Sequence, residues 1–300
     1  MRQHASADAP HALRGIAFMA VTLMCYSLID AATKYLSVAY PVVFLLWARY
    51  VFQTLFMIVL LVRAGSFGFL RTKRLGLQSL RAGLNIATNF AFIVGLSFLP
   101  LANAVALLMV GPLFVTALSV PLLGEKVGMR RWAAVGTGFV GALIIVRPGV
   151  GDSFQWASLL LILAALINAL FQITTRKLTT TEQPLTTHAY LTLTGLAVTS
   201  ALVPFFWIGV STDALILLAA QGVMGNASNL CLIAALHRAP ASTLAPFNYI
   251  TLAFAAALGY LIFDQFPDHW TITGALVIVA SGLYIIHREA VQRRKQLEAH

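Results

Sequence analysis

The chain has 300 residues, of which 59% are hydrophobic and only 10% are charged, and its mean hydropathy is +0.85. Soluble domains are about half apolar and about a quarter charged, so this composition excludes an ordinary soluble protein and indicates a membrane protein with several spans. A net charge of +10 is compatible with nucleic-acid binding, but its distribution along the chain indicates a different partner.

Ten apolar runs are long enough to form membrane-spanning helices, which need about 20 residues to cross about 30 Å of hydrocarbon. In chain order they are Gly15–Tyr35, Val42–Val62, Leu80–Phe98, Leu101–Leu123, Trp132–Val146, Phe154–Thr175, Leu185–Trp207, Ala214–Leu236, Ser242–Phe263 and Trp270–Ile286. The first run has no small-residue cleavage pattern after it, so we expect it to be a span rather than a removable signal peptide.

Basic residues fall in alternate loops. With a cytoplasmic N-terminus, the cytoplasmic loops and tail contain Arg63, Arg71, Lys73, Arg74, Arg81, Lys126, Arg130, Arg131, Arg176, Lys177, Arg238, Arg288, Arg293, Arg294 and Lys295. The opposite loops contain mainly aspartates, with Lys34 and Arg147 at helix ends. This positive-inside pattern predicts ten spans with both termini in the cytoplasm. It indicates the lipid bilayer, and no nucleic acid, as the partner.

The sequence also repeats at an offset of about 140 residues. Ala-Thr-Asn at 87–89 matches Ala-Ser-Asn at 227–229, and Pro100 matches Pro240. Each half contains five spans, so the second half must enter the membrane from the opposite side. We therefore predict an all-α integral membrane protein with two inverted five-helix repeats. Residues 1–13 form an N-terminal tail, 14–150 the first repeat, 151–288 the second repeat and 289–300 a basic tail.

Residues 100–149 resemble the repeat unit of the EamA-type carriers of the drug/metabolite transporter superfamily. The resemblance rests on a mid-helix proline (Pro112), a Gly-Glu turn (Gly124 and Glu125) and a glycine-rich helix that ends in Arg-Pro-Gly at 147–149. Residues 239–250 and 274–289 are similar to a second copy, although Asp264 and Gln265 replace Gly-Glu there. The resemblance covers nearly the whole chain.

This resemblance implies a secondary transporter in the cytoplasmic (inner) membrane of a bacterium. It would move small metabolites by alternating access through a central cavity between the repeats. Export of aromatic or other neutral amino acids is the leading expectation, and carriage of riboflavin or S-adenosylmethionine is the alternative. An intramembrane enzyme and a structural membrane scaffold are the alternatives from other classes. The sequence does not determine the oligomeric state, and a monomer is compatible with it.

Polar side chains within the apolar runs are the candidate cavity residues, because lipid offers them no partner. Asp30 is the only acidic residue well inside a run, and we expect it to pair with Arg49 or Lys34, either as a brace or as a substrate contact. For the amides, packing between helices and cavity lining both remain open. The complete predicted set is Tyr26, Asp30, Arg49, Asn85, Asn89, Asn168, Gln172, Gln221, Asn226, Asn229, Asn248 and Tyr249.

Proline and glycine mark candidate hinges. Gly111 and Pro112 lie in the fourth run and Pro246 in the ninth, where a static kink and a moving hinge are both possible. Small residues in the fifth and tenth runs, including Gly141 and Gly274, predict close helix packing.

No phosphate-binding loop, nucleophile elbow or metal-ligand spacing occurs in the sequence. We therefore predict no catalytic residue, no metal and no cofactor. Cys25 and Cys231 are predicted to be buried thiols. An arginine partner would keep Asp30 ionised, which favours facilitated diffusion or weak coupling and leaves proton coupling as the alternative.

Overall fold

The computed structural model describes residues 9–64, 72–124, 127–147, 156–179, 181–239 and 241–298. The predicted turn residues Glu125, Pro148 and Gly149 lie outside these ranges. The helices are α1 (Ala9–Ser37), α2 (Val42–Ala64), α3 (Leu75–Phe98), α4 (Leu101–Leu108), α5 (Gly111–Leu123), α6 (Met129–Val146), α7 (Trp156–Thr179), α8 (Pro184–Leu202), α9 (Thr212–Arg238), α10 (Ala241–Leu244), α11 (Ile250–Phe263) and α12 (His269–Glu298), with 3₁₀ segments at Val203–Phe206 and Ala245–Tyr249.

Ten helical segments in the described ranges are long and apolar enough to cross a membrane, which confirms the ten predicted spans. α4 and α5 together form the fourth span, and the segment Ala245–Tyr249 with α11 forms the ninth. The third helix begins at Leu75, five residues before the predicted Leu80. Arg81, expected in a loop, is therefore buried within this helix. The inverted repeat and the orientation of the termini stay predictions.

Contacts between helix ends define two ends of the bundle. We call the end where α1 begins and α12 ends the tail end, and the opposite end the far end. At the far end, the Tyr40 hydroxyl after α1 lies 3.3 Å from the Ser211 hydroxyl before α9, and Arg147 after α6 forms an ion pair with Asp268 before α12. At the tail end, Thr72 before α3 donates a hydrogen bond to Glu182 between α7 and α8. Successive spans therefore run antiparallel.

The most extensive helix contacts are those of α1 with α9, α3 with α7, α6 with α12 and α2 with α8. Counted as spans, these are the first with the eighth, the third with the sixth, the fifth with the tenth and the second with the seventh. If each span is exchanged with the corresponding span of the other half, five positions away, the first–eighth pair becomes the sixth–third pair. The fifth–tenth and second–seventh pairs stay the same. Two equivalent five-helix halves would produce this contact pattern.

Glycines allow α6 and α12 to approach closely. A Cβ atom on Gly141 would lie 2.8 Å from the carbonyl oxygen of Gly274, and one on Gly274 would lie 2.5 Å from the carbonyl oxygen of Gly141. Both obstacles are backbone atoms, so a larger residue at either position must push the helices apart. The small-residue surfaces of the fifth and tenth spans therefore pack against each other.

We expect Gly141→Ala to lower the melting temperature of the purified protein in detergent, because overpacking of this kind costs about 1–3 kcal/mol. Gly136→Ala is the matched control, since a Cβ at Gly136 has nothing within 4 Å and alanine favours a helix over glycine. The control should melt at the wild-type temperature or slightly above it. Equal melting temperatures for the two variants would contradict the close contact between α6 and α12.

The fourth span is discontinuous near its middle. α4 ends at Leu108 and α5 begins at Gly111. Between them, the Val110 N–H donates to the Leu107 carbonyl at 3.2 Å, a tight 3₁₀-type bond. Pro112 is the second residue of α5, a position where its missing N–H removes no helical hydrogen bond. In the ninth span, Pro246 lies near the start of its 3₁₀ segment. A hinge function at either place stays a prediction.

Candidate functional site

A hydrogen-bonded network joins α2 to α3. Arg49 Nη1 donates to Asn89 Oδ1 at 3.1 Å. Asn89 Nδ2 donates to the backbone carbonyl and to Oδ1 of Asn85, at 2.8 and 3.2 Å. The Tyr50 hydroxyl also donates to Asn85 Oδ1, at 3.1 Å. The two asparagines are one turn apart on one helix face, and both are partly exposed. They thus connect two helices while remaining accessible.

Asp30 on α1 is partly exposed and lies near enough to Arg49 for electrostatic attraction. Among the described residues, however, its carboxylate has no hydrogen bond or ion pair, and Arg49 and Lys34 donate to other groups. The direct pair predicted from the sequence is therefore not formed. A guanidinium carries five N–H donors, so Arg49 keeps further donors available near Asp30, a residue of intermediate exposure.

Lys34 is instead a buried connection at the far end of the bundle. Its side chain is 8% exposed, and its ammonium donates to the backbone carbonyls of Leu96 and Leu99. These carbonyls lie at the C-terminal end of α3, where a helix lacks internal donors and favours a cation. The ammonium also lies 5.5 Å from the centre of the Phe263 ring at the end of α11. Lys34 thus joins three helix ends.

The predicted amides of α9 form hydrogen bonds within the helical bundle, except for the buried Nε2 of Gln221, which has no partner among the described residues. Gln221 is buried and its Oε1 accepts a hydrogen bond of 3.2 Å from the Thr33 hydroxyl of α1. Asn226 and Asn229 each donate through Nδ2 to the backbone carbonyl four residues earlier. Their contacts indicate helix packing more directly than cavity lining.

The remaining predicted residues of α1 and α7 are less connected. Tyr26 is partly buried on α1. Asn168 lies beside the break in the fourth span, where a Cβ on Gly111 would be 3.8 Å from its Nδ2. Gln172, one turn further along α7, is exposed. It lies on the opposite side of the helix from the exposed Leu163, because nine residues at about 100° each amount to about two and a half turns.

The ninth-span residues point in different directions. Asn248 is exposed, and its Nδ2 donates to the Ala245 carbonyl at 3.1 Å. The Tyr249 hydroxyl lies against α12, since a Cβ on Gly282 would be 1.7 Å from it. The structure thus groups Asp30, Arg49 and the two α3 asparagines, whereas Asn248 and Tyr249 lie near the tail-end start of the ninth span.

Tyr50 was not among the predicted site residues. Its ring packs against α8, where a Cβ on Gly195 would lie 2.3 Å from the ring atom Cε1. The tyrosine therefore needs a glycine in a distant run to reach Asn85. No local sequence signal marks such a pair.

The far-end ion pair links α6 to α12. The Asp268 carboxylate also caps α12 by accepting a hydrogen bond of 2.9 Å from the Thr271 N–H. Burial raises the pKa of Asp268, but the hydrogen bonds from Thr271 and the charge of Arg147 together hold that pKa below its usual value. The Asp268 carboxylate therefore stays ionised at neutral pH. Within the described ranges, no cluster of three His, Cys, Asp or Glu residues could hold a metal ion.

Comparisons with known proteins agree with the fold and the membrane character. The model of the EamA-like transporter family matches residues 13–147 and again residues 155–287. The chain is 29% identical to an S-adenosylmethionine uptake transporter of Rickettsia prowazekii, over 92% of this chain and 94% of that one. It is 30% identical to a riboflavin transporter of Rhizobium johnstonii, over 95% and 94%, and 26% identical to a pseudopaline exporter of Pseudomonas aeruginosa, over 89% and 94%.

A solved crystal structure shares the fold, with a TM-score of 0.63 over 92% of this chain and 97% of that one at 16% identity. The expected amino-acid export implies a finer resemblance, to the amino-acid exporter YddG. The names of these relatives do not support it, and they match the alternative of S-adenosylmethionine or riboflavin. They describe transporters and not enzymes. The chain is a multi-pass membrane protein that transports a small molecule, and it belongs to the EamA-like transporter family.

Proposed function

We propose that the chain carries a metabolite whose head group bears both an ammonium and a carboxylate. The observation behind this proposal is the pair of accessible charges that do not bind each other, Asp30 and Arg49. A carboxylate suits an ammonium, and a guanidinium suits a carboxylate, through charge-assisted hydrogen bonds. A zwitterionic head group placed between them would satisfy both.

The energetic cost of a charge inside the membrane favours a substrate with a zwitterionic head group. A charged side chain at the centre of a span costs about 2.5–3.5 kcal/mol, and Asp30 has no hydrogen-bonded partner among the described residues. A substrate ammonium that donates directly to Asp30 would therefore gain more from this carboxylate than a neutral group. Amino acids and S-adenosylmethionine share the required head group, and riboflavin lacks it. The proposal therefore includes both the expected amino acids and S-adenosylmethionine, which one relative is named for.

The proposed setting is the cytoplasmic membrane of a bacterium, with the tail end in the cytoplasm and the two repeats inverted. Basic residues at the tail end support this orientation, because positive charge is retained on the cytoplasmic side. They include Arg14, Lys73, Arg74, Arg81, Arg130, Arg131, Arg176, Lys177, Arg238 and Arg288. At the far end, Asp213, Asp264 and Asp268 accompany Lys34 and Arg147.

Alternating access is the proposed mechanism. At the far end α4 packs against α11, with the Leu101 Cβ 3.7 Å from where a Cβ on Gly259 would lie, and Lys34 adds its three-helix connection there. Towards the tail end, α5 packs against α6 and α7, whereas the Ala245–Tyr249 segment packs against α1 and α12. These contacts support a state that is closed at the far end and open at the tail end.

Counterflow in liposomes tests the substrate class. Vesicles preloaded with phenylalanine or S-adenosylmethionine should accumulate the same labelled solute, and riboflavin should not exchange. Phenylalanine amide and N-acetylphenylalanine, which each lack one charge of the head group, should compete poorly with phenylalanine. Exchange of riboflavin alone, or equal competition by these analogues, would overturn the proposed head-group selection. Facilitated diffusion also predicts that a pH gradient drives no uphill movement.

A further inference from the structure

A groove with a volume of about 370 Å³ lies between α6 and α12 at the tail end of the bundle. Its lining includes Arg130, Ala133 and Thr137 of α6 and Ala280, Ser281 and Tyr284 of α12. Ala133, Thr137 and Ala280 are exposed, so the groove opens sideways on the outer face of these helices. It is separate from the network of Arg49 and Asn89.

The floor of the groove is effectively apolar despite its two hydroxyl groups. The Thr137 hydroxyl donates to the Ala133 carbonyl at 2.9 Å, and the Ser281 hydroxyl donates to the Ile278 carbonyl at 2.8 Å. Both donors are therefore occupied within their own helices. From Arg130 to Thr137 the groove follows α6 for about 10 Å, at 1.5 Å per residue. A slot of this shape suits part of an acyl chain.

The mouth of the groove is basic. Arg130 is exposed in the first turn of α6, and no carboxylate among the described residues pairs with it. Tyr284 is 41% exposed on the facing helix, and its hydroxyl is a donor. Arg288 follows one turn further along α12. Glu125 and Glu289 also lie nearby in sequence, but Arg130, Lys126 and Arg288 outnumber them.

We propose that this groove binds an anionic phospholipid of the leaflet at the tail end. The phosphate contacts Arg130 and the Tyr284 hydroxyl, and one acyl chain lies along the small residues of the floor. A lipid without net negative charge leaves the positive mouth uncompensated. A second copy of the chain fits less well, because a two-fold contact centred on the groove brings two Arg130 side chains together.

Native mass spectrometry of the purified protein tests the site. In a titration with phosphatidylglycerol, Arg130→Gln should weaken lipid retention about fivefold, the effect of one basic residue near a membrane surface. Arg74→Gln is the matched control, because Arg74 is an exposed arginine at the same end but outside the groove. It should bind phosphatidylglycerol like the wild type. Inorganic phosphate should not displace the lipid.

A second variant tests the acyl slot without changing charge. Ala280→Phe should fill the groove and reduce the retention of both phosphatidylglycerol and phosphatidylcholine. Equal losses for Arg130→Gln and Arg74→Gln would overturn the proposal, as would equal retention of the two lipids by the wild type. Unchanged retention by Ala280→Phe would place the lipid elsewhere and overturn it too. None of these measurements depends on which solute is transported.

Discussion

Asp30→Asn should reduce the transport of a solute with an ammonium group by about 10- to 100-fold. The substitution keeps the shape of the side chain and removes its charge. A hydrogen bond to a charged group contributes about 1.5–3 kcal/mol, and each 1.4 kcal/mol corresponds to tenfold in binding. The initial rate of counterflow in liposomes, normalised to the amount of reconstituted protein, measures the effect.

Asp213→Asn is the matched control for this experiment, because Asp213 is an exposed aspartate at the start of α9. It makes the same chemical change outside the proposed site and should leave transport unaltered. Melting temperatures of both variants separate a loss of transport from a loss of folding. Normal transport by Asp30→Asn at normal expression would reject a functional role for this carboxylate.

The number and order of the spans could be predicted because hydrophobic length and loop charge are properties of consecutive residues. The start of α3 could not be predicted in this way. Arg81 reads as a loop residue by its charge, yet it donates to the Thr175 hydroxyl at 2.7 Å and to the Thr187 carbonyl at 3.0 Å. Its guanidinium also stacks on Phe171. Partners on two other helices make this buried charge tolerable, and hydropathy does not include them.

The candidate site shows the same limit. Asp30, Arg49 and Asn89 were predicted as site residues because polar groups inside apolar runs need partners. Their pairing was not predicted, because Arg49 donates to the amide of Asn89, 40 positions away, and not to Asp30. Lys34 binds backbone carbonyls, which every residue possesses and which therefore leave no sequence signature. Only the packing of α1 against the end of α3 selects them.

Replacing Lys34 should have the second large effect, an opening of the far end. Lys34→Met keeps most of the apolar stem but removes every donor. The carbonyls of Leu96 and Leu99 therefore lose their hydrogen bonds from α1. Loss of hydrogen bonds from a charged donor, at about 1.5–3 kcal/mol, shifts a two-state equilibrium by about 10- to 100-fold. The population that is open at the far end should rise by that factor.

Cysteine labelling measures this opening. In a background with Cys25→Ala and Cys231→Ala, the reporter Ala104→Cys lies on α4 at a fully buried position, near the end that is proposed to be closed. A membrane-impermeant maleimide should label this reporter at least about tenfold faster when Lys34→Met is added. Lys177→Met is the control, because Lys177 matches Lys34 in the predicted repeat and lies exposed at the tail end. Lys177→Met should leave the labelling rate of Ala104→Cys unchanged. Equal labelling with and without Lys34→Met would show that this lysine does not hold the far end closed.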